Sequence, residues 1–146
     1  MKALLQRVSQ ASVSVDVEVV AEIDAGLLVF LGLDRGDDEA VAARLVAKVL
    51  DYRLFPDTQG RMNCSVRDIA GDVLLVSQFT LSADTRKGLR PSFSSAMPPG
   101  EAEQLYGRVL ESFRRQHPNT LAGIFAADMQ VSLVNDGPVT FLLELD

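Results

Sequence analysis

Apolar and polar positions alternate with a period of two over Leu4 to Val8 and again over Ser12 to Asp16, with β-branched residues among them. That period places alternate side chains on opposite faces of a strand. Val19 to Asp24 has the same character. Asp24-Ala25-Gly26 then signals a turn, and Leu27 to Leu33 is nearly all apolar, as expected of a strand buried on both faces. The period next changes to that of a helix. Val41, Ala42, Leu45, Val46, Val49 and Leu50 form a wide apolar face, with Asp37 or Asp38 placed to cap it and Glu39 in its first turn. The pattern fades near Phe55-Pro56, and Pro56 to Gly60 is loop chemistry.

Val73 to Val76 predicts a second inner strand. It runs into Ser77-Gln78-Phe79-Thr80, where polar side chains break the apolar run. A polar loop rich in Ser, Pro and Arg spans Ser82 to Gly100. Pro98-Pro99-Gly100 opens a second helix, whose stripe is Ala102, Leu105, Tyr106, Val109, Leu110 and Phe113 and whose end is His117-Pro118-Asn119. Two closing strands follow, Met129 to Val134 and Val139 to Leu145, joined by Asn135-Asp136-Gly137-Pro138, which reads as a hairpin tip. Strands outnumber helices and do not alternate with them one for one, which disfavours a doubly wound nucleotide fold. The expected class is α/β: a strand-rich sandwich or partly open β-barrel carrying two helices, in a single domain over 1–146 with no linker or repeat.

Composition narrows the function classes. No apolar run reaches the roughly 20 residues of a membrane span, and no secretory signal is evident, so a cytoplasmic location without membrane attachment is expected. Cys64 is the sole cysteine, leaving no internal disulfide or cysteine metal cluster. The formal net charge of −6 argues against a protein that coats nucleic acid nonspecifically. It leaves room for a local basic patch, and Arg86-Lys87-Gly88-Leu89-Arg90, with Arg7 and Lys2 near the start, is the candidate; by charge alone such a run is a solvated loop. His117 is the sole histidine and sits at a helix end, where a capping or surface role fits it better than catalysis. No spacing of His, Cys, Asp and Glu suggests a metal site, and no phosphate loop of the Walker type is present, so neither metal nor cofactor is expected.

Two segments remain as candidate chemistry. A strand end at Ser77 to Thr80 exposes backbone N–H groups beside hydroxyls and an amide, a set able to hold a developing oxyanion, although such hydroxyls commonly bond local backbone instead. Gly137-Pro138 combines a bond that can be cis with a residue lacking a side chain, so another molecule can approach its backbone closely.

Taken together the motifs carry a resemblance. Ser77-Gln78-Phe79-Thr80-Leu81 resembles the SQFTL motif of the D-aminoacyl-tRNA deacylases, and Asn135-Asp136-Gly137-Pro138-Val139-Thr140 resembles their NxGPVT motif. Met62 to Val66, Ala83 to Gly88, Arg90-Pro91-Ser92-Phe93 and Ala127-Asp128-Met129 fall in the family's order, so the likeness covers nearly the whole chain. It implies a homodimer with an active site shared across subunits. It also implies hydrolysis of the ester of D-aminoacyl-tRNA, and of glycyl-tRNA mischarged on tRNA(Ala), in chiral proofreading. Ser77, Gln78, Phe79 and Thr80 would form the catalytic floor, with the Phe79 N–H as oxyanion donor. Gly137-Pro138 would be a Gly-cisPro element that rejects L-amino acids. Phe125 and Met129 would line the pocket, and Arg7, Arg86, Lys87 and Arg90 would hold the tRNA. The ribose 2′-OH of the tRNA would assist attack, so no protein base is needed. The chain departs from the family at Gly123-Ile124-Phe125-Ala126, where Gly-Arg-Phe-Gly is common. Three alternatives stay open: a covalent nucleophile at Thr80 or Ser77, a noncatalytic tRNA-binding or editing-appendage module, and a structural dimer with no RNA partner.

Overall fold

The computed structural model describes residues Met1–Asp146. Its frame is a long first strand, β1 (Lys2–Val15), which turns at Asp16-Val17 into β2 (Glu18–Ile23) and leads on to β3 (Gly26–Gly32). The two period-two stretches at the N-terminus are one strand. One edge of β1 is shared: its first half pairs antiparallel with β3, from Lys2–Gly32 to Val8–Gly26, and its second half with β2, from Ala11–Ile23 to Val15–Glu18. Helix α1 (Glu39–Asp51) then crosses over, followed by the short pair β4 (Phe55–Pro56) and β5 (Met62–Cys64). Asp38 caps α1, its carboxylate accepting from the Val41 N–H at 2.9 Å. Asp37 is engaged elsewhere, accepting from the Asp34 N–H and the Met1 amino group.

Strand β6 (Asp72–Ser77) lies parallel to β3, and β7 (Thr120–Ala122) parallel to β6. Between them come a 3-10 turn (Phe79–Ser82), a long loop and helix α2 (Pro99–Gln116). Strand β7 carries too few residues to show a period, and the sequence pattern does not predict it. His117 closes α2; its ring is buried, with Nε2 2.7 Å from the Gly71 carbonyl, so its role is to tie the helix end to the sheet.

Both helices cover one face of the sheet. Leu27, Val29, Leu31, Val73 and Leu75 point into that layer, with Leu45, Val49, Val109 and Phe113 against them. The alternate residues Leu28, Leu74 and Val76 point the other way, into a smaller core closed by Val8, Val13, Ala21 and Ile23 of the β1–β2 hairpin. Burial on both faces is why β3 and β6 are nearly unbroken apolar runs. The hairpin curls over the back of the sheet and makes it a nearly closed mixed barrel with two helices, within the class the pattern predicts.

The closing segment corrects the sequence reading. Residues 129–145 do not form two strands about a hairpin tip. They form one strand, β8 (Gln130–Glu144), antiparallel along almost all of β1, from Lys2–Glu144 to Ser14–Gln130. Between the pairs Gln6–Thr140 and Val8–Asn135, β1 supplies only Arg7 while β8 supplies Asp136 to Val139. Asn-Asp-Gly-Pro is therefore a bulge pushed out of a continuous ladder, a place where proline's missing N–H costs nothing.

Candidate active site

The C-terminal end of β6 opens onto a cavity of about 430 Å³. Ser77 and Gln78 give it a polar edge; Leu31, Val76, Phe79, Met97, Tyr106, Phe125 and Met129 make the rest of it mainly apolar. The parallel ladder sets this edge: the Gln78 N–H donates to the Leu31 carbonyl at 2.8 Å, and the chain then tightens into the 3-10 turn. The first N–H groups of such a turn have no acceptor within it. Phe79 and Thr80 stand at those positions. The Gln78 side-chain amide donates to the Thr80 hydroxyl at 2.5 Å, and Thr80 is not among the cavity residues.

The far wall is assembled by α2 and the segment after β7. The carbonyl of Leu75 accepts both the Gly123 N–H, at 3.0 Å, and the Tyr106 hydroxyl, at 3.3 Å. Tyr106 and Phe125 rings lie 5.4 Å apart. Burial pushes the Tyr106 phenol up to about 12, so it is neutral at any working pH. Gly123 leaves space for Met129: a Cβ there would lie 2.6 Å from the Met129 sulfur. Ala126, one of the departures from the family pattern, holds a left-handed φ of 61°, a conformation glycine adopts more cheaply. The cavity lining contains no His, Cys, Lys, Arg or carboxylate. Nowhere in the chain do three or more His, Cys, Asp or Glu side chains group to hold a metal ion. No helix is long and apolar enough to cross a membrane.

The structure thus brings together Ser77, Gln78, Phe79, Phe125 and Met129 and leaves the other expected residues outside. Gly137 and Pro138 lie on the β8 bulge, away from the lining, joined by a cis peptide bond. Asn135 closes the neck of the bulge, donating from Nδ2 to the Arg7 and Val139 carbonyls at 3.0 Å each, and the Thr140 hydroxyl donates back to Asn135. Arg7 separates from the other basic residues. Its guanidinium donates to the Asp136 carbonyl at 3.2 Å and the Leu54 carbonyl at 2.8 Å, and pairs with the Asp136 carboxylate at 3.3 Å. It braces the bulge and is not an open phosphate ligand. Arg86 is likewise engaged: it grips Asp84 through two nitrogens, and this holds the Asp84 carboxyl well below the usual carboxylate range. Lys87 and Arg90 are exposed and form no ion pair. Met97 and Tyr106 also line the cavity, although Tyr106 belongs to an apolar helix stripe that marks core as readily as a site and Met97 lies in the polar loop, where no pattern marks it.

The family model described as D-Tyr-tRNA(Tyr) deacylase matches residues 4–144. The chain belongs to that family. It is 59% identical over 146 residues to the D-aminoacyl-tRNA deacylase of Cellvibrio japonicus, covering 100% of both chains. It is 58% identical over 145 residues to that of an Escherichia coli strain, covering 99% of this chain and 100% of the relative. Among solved structures, one described as c-Myc DNA Unwinding Element Binding Protein aligns with a TM-score of 0.96 at 41% identity, covering 100% of this chain and 99% of that one. A probable eukaryotic D-amino acid tRNA deacylase aligns with a TM-score of 0.87 at 16% identity, covering 99% and 98%, a likeness of fold alone. Within this deacylase family, the cavity edge at Ser77 to Phe79 and the bulge at Gly137-Pro138 coincide with the two motifs that carried the resemblance.

Proposed function

We propose that the protein is a D-aminoacyl-tRNA deacylase, a hydrolase that cleaves the ester linking a D-amino acid to the 3′ end of tRNA. The observation that carries this reading is family membership over the full chain at close to 60% identity. The geometry supports a particular chemistry. A cavity with no His, Cys, Lys, Arg or carboxylate in its lining, and whose Tyr106 hydroxyl is committed to the Leu75 carbonyl, suits a reaction whose proton carrier belongs to the substrate, and the terminal ribose 2′-OH fills that part. The Phe79 N–H receives the ester oxygen as its charge develops, with Ser77 and Gln78 fixing the ester's position. Thr80 is occupied by Gln78 and lies off the lining, which weighs against it as a covalent nucleophile.

Gly137-Pro138 measures chirality from a second copy. The bulge does not reach its own cavity, so a homodimer in which each subunit lends its bulge to the other completes two sites. The backbone carbonyls there meet the substrate's amino group and leave no space for an L side chain, whereas a D side chain points outward and glycine has none. Glycyl-tRNA is therefore a second substrate. A cytoplasmic location follows from the substrate.

The test is deacylation of matched D-tyrosyl-tRNA and L-tyrosyl-tRNA by the purified protein. Rapid loss of the D ester with the L ester spared is expected. Loss of both discards the chiral gauge, and binding without turnover moves the protein to a noncatalytic tRNA-binding module. Replacing the terminal ribose by its 2′-deoxy form should abolish turnover while leaving tRNA binding in place.

A further inference from the structure

We infer that Phe93, packed at a tilt against Phe79 at the rim of the cavity, is a platform for the unpaired cytidines that precede the terminal adenosine of tRNA. The inference rests on the deacylase reading and specifies how its substrate is held beyond the reacting nucleotide. Phe79 is 62% exposed and Phe93 41% exposed, with ring centroids 5.1 Å apart. Two large rings left open beside a cavity mark a contact surface.

Their position is built. The loop carrying Phe93 is pinned by a two-way backbone bridge, Asp84 N–H to the Ser92 carbonyl at 2.8 Å and Ser92 N–H to the Asp84 carbonyl at 3.0 Å. Arg35 holds the next residues, its side chain donating to the Ser94 carbonyl at 2.6 Å and its N–H to the Ser95 carbonyl at 2.9 Å. Phe93 itself accepts from the Ala96 N–H at 3.1 Å. Charge selects the occupant. In a chain of net charge −6, this loop carries Arg86, Lys87 and Arg90 against the single carboxylate of Asp84, and Arg86 already neutralises that carboxylate. Aromatic faces beside unpaired cations are the recognition chemistry of single-stranded nucleic acid, where each stacked base contributes about tenfold or more to affinity. An apolar peptide would leave Lys87 and Arg90 without a partner. A single strand whose last nucleotide enters the cavity passes its preceding bases over this rim and its phosphates along the loop.

The experiment compares wild type, Phe93→Ala and Phe93→Trp on two substrates: D-tyrosyl-tRNA, and the D-tyrosyl ester of adenosine alone. Phe93→Ala should lower the ratio of kcat/KM on the tRNA to that on the adenosine ester about tenfold, through KM. Phe93→Trp should restore the ratio. The chain has no tryptophan, so this variant also carries a single reporter. Its emission should be quenched by the trinucleotide CCA and not by adenosine. Equal losses on both substrates, no loss on either, or a change in sedimentation on Phe93→Ala that assigns the rings to a second copy of the chain would each overturn the inference. Wild-type failure on both esters overturns the deacylase reading itself, which the ratio among active variants distinguishes.

Discussion

Gly137 holds a φ of 124°, and a Cβ placed on it would lie 2.7 Å from a Val139 methyl and 3.1 Å from the Arg7 guanidinium. Any L side chain there is strained and must displace the brace that sets the bulge. Gly137→Ala is therefore expected to lower kcat/KM for the D ester by about a hundredfold, the scale of a one-ångström misplacement, and to narrow the D/L ratio. Matched deacylation rates check both. Tyr106 gives a pH prediction. Burial raises its phenol to about 12 against an ordinary 10, so the native state keeps that proton more tightly than the unfolded chain. The corresponding stability is complete below pH 10 and fades as pH rises toward 12, about 3 kcal/mol in all. Urea midpoints of wild type should fall across that window, and those of Tyr106→Phe should stay flatter. The residues of both motifs were visible in the sequence. The commitment of Arg7 to Asp136 and Leu54 was not, because Leu54 is remote in the chain and nothing local marks its carbonyl as a partner.

Among the elements, the helices followed their patterns and the closing strands did not. Asp38 and the apolar face of α1 declare a helix with local information alone, since capping and face geometry are fixed within two turns. Asn-Asp-Gly-Pro satisfies a hairpin tip and a bulge equally well. What separates them is whether the flanking residues pair with each other or with a third strand, and here both flanks pair with β1. The basic loop divides in the same way. Arg86, Lys87 and Arg90 look alike in sequence, yet Asp84 takes Arg86 and leaves the other two free. Lys87→Ala with Arg90→Ala should raise the tRNA KM and flatten its logarithmic dependence on salt by about one to two units of slope, since each phosphate contact contributes about one. Arg86→Ala should change the slope less. An unaltered slope in the double variant would show that the loop does not meet phosphate.

For the molecule as a whole, the Gly137-Pro138 bulge is not among the residues that line the cavity, so the proposed gauge requires that function depend on assembly. Phe79→Pro removes the N–H donor at a first-turn position that tolerates proline, and is expected to abolish turnover. Mixed with Gly137→Ala and re-equilibrated, it should regain activity. Random pairing makes half the dimers mixed, and each mixed dimer has one site with neither defect, so recovery should approach about a quarter of wild type. Deacylation after co-refolding reads this out. No recovery would mean that each site is complete within one subunit. Burial patterns also belong to this scale: the unbroken apolar runs of β3 and β6 announced burial on two faces, and the structure supplied the two cores, one under the helices and one inside the curled hairpin.

By itself the sequence determined what depends on neighbours a few positions away: helices and their caps, inner strands, the polar break at Ser77 to Thr80, and through its motifs the family. Tertiary structure alone decided which residues meet. It joined β8 into one strand, put Tyr106 and Met97 on the cavity, removed Thr80 from it and set Phe93 against Phe79. The physical reason is that local periods encode the face a side chain occupies, whereas partners across a sheet or loop are chosen by the packing of the whole chain.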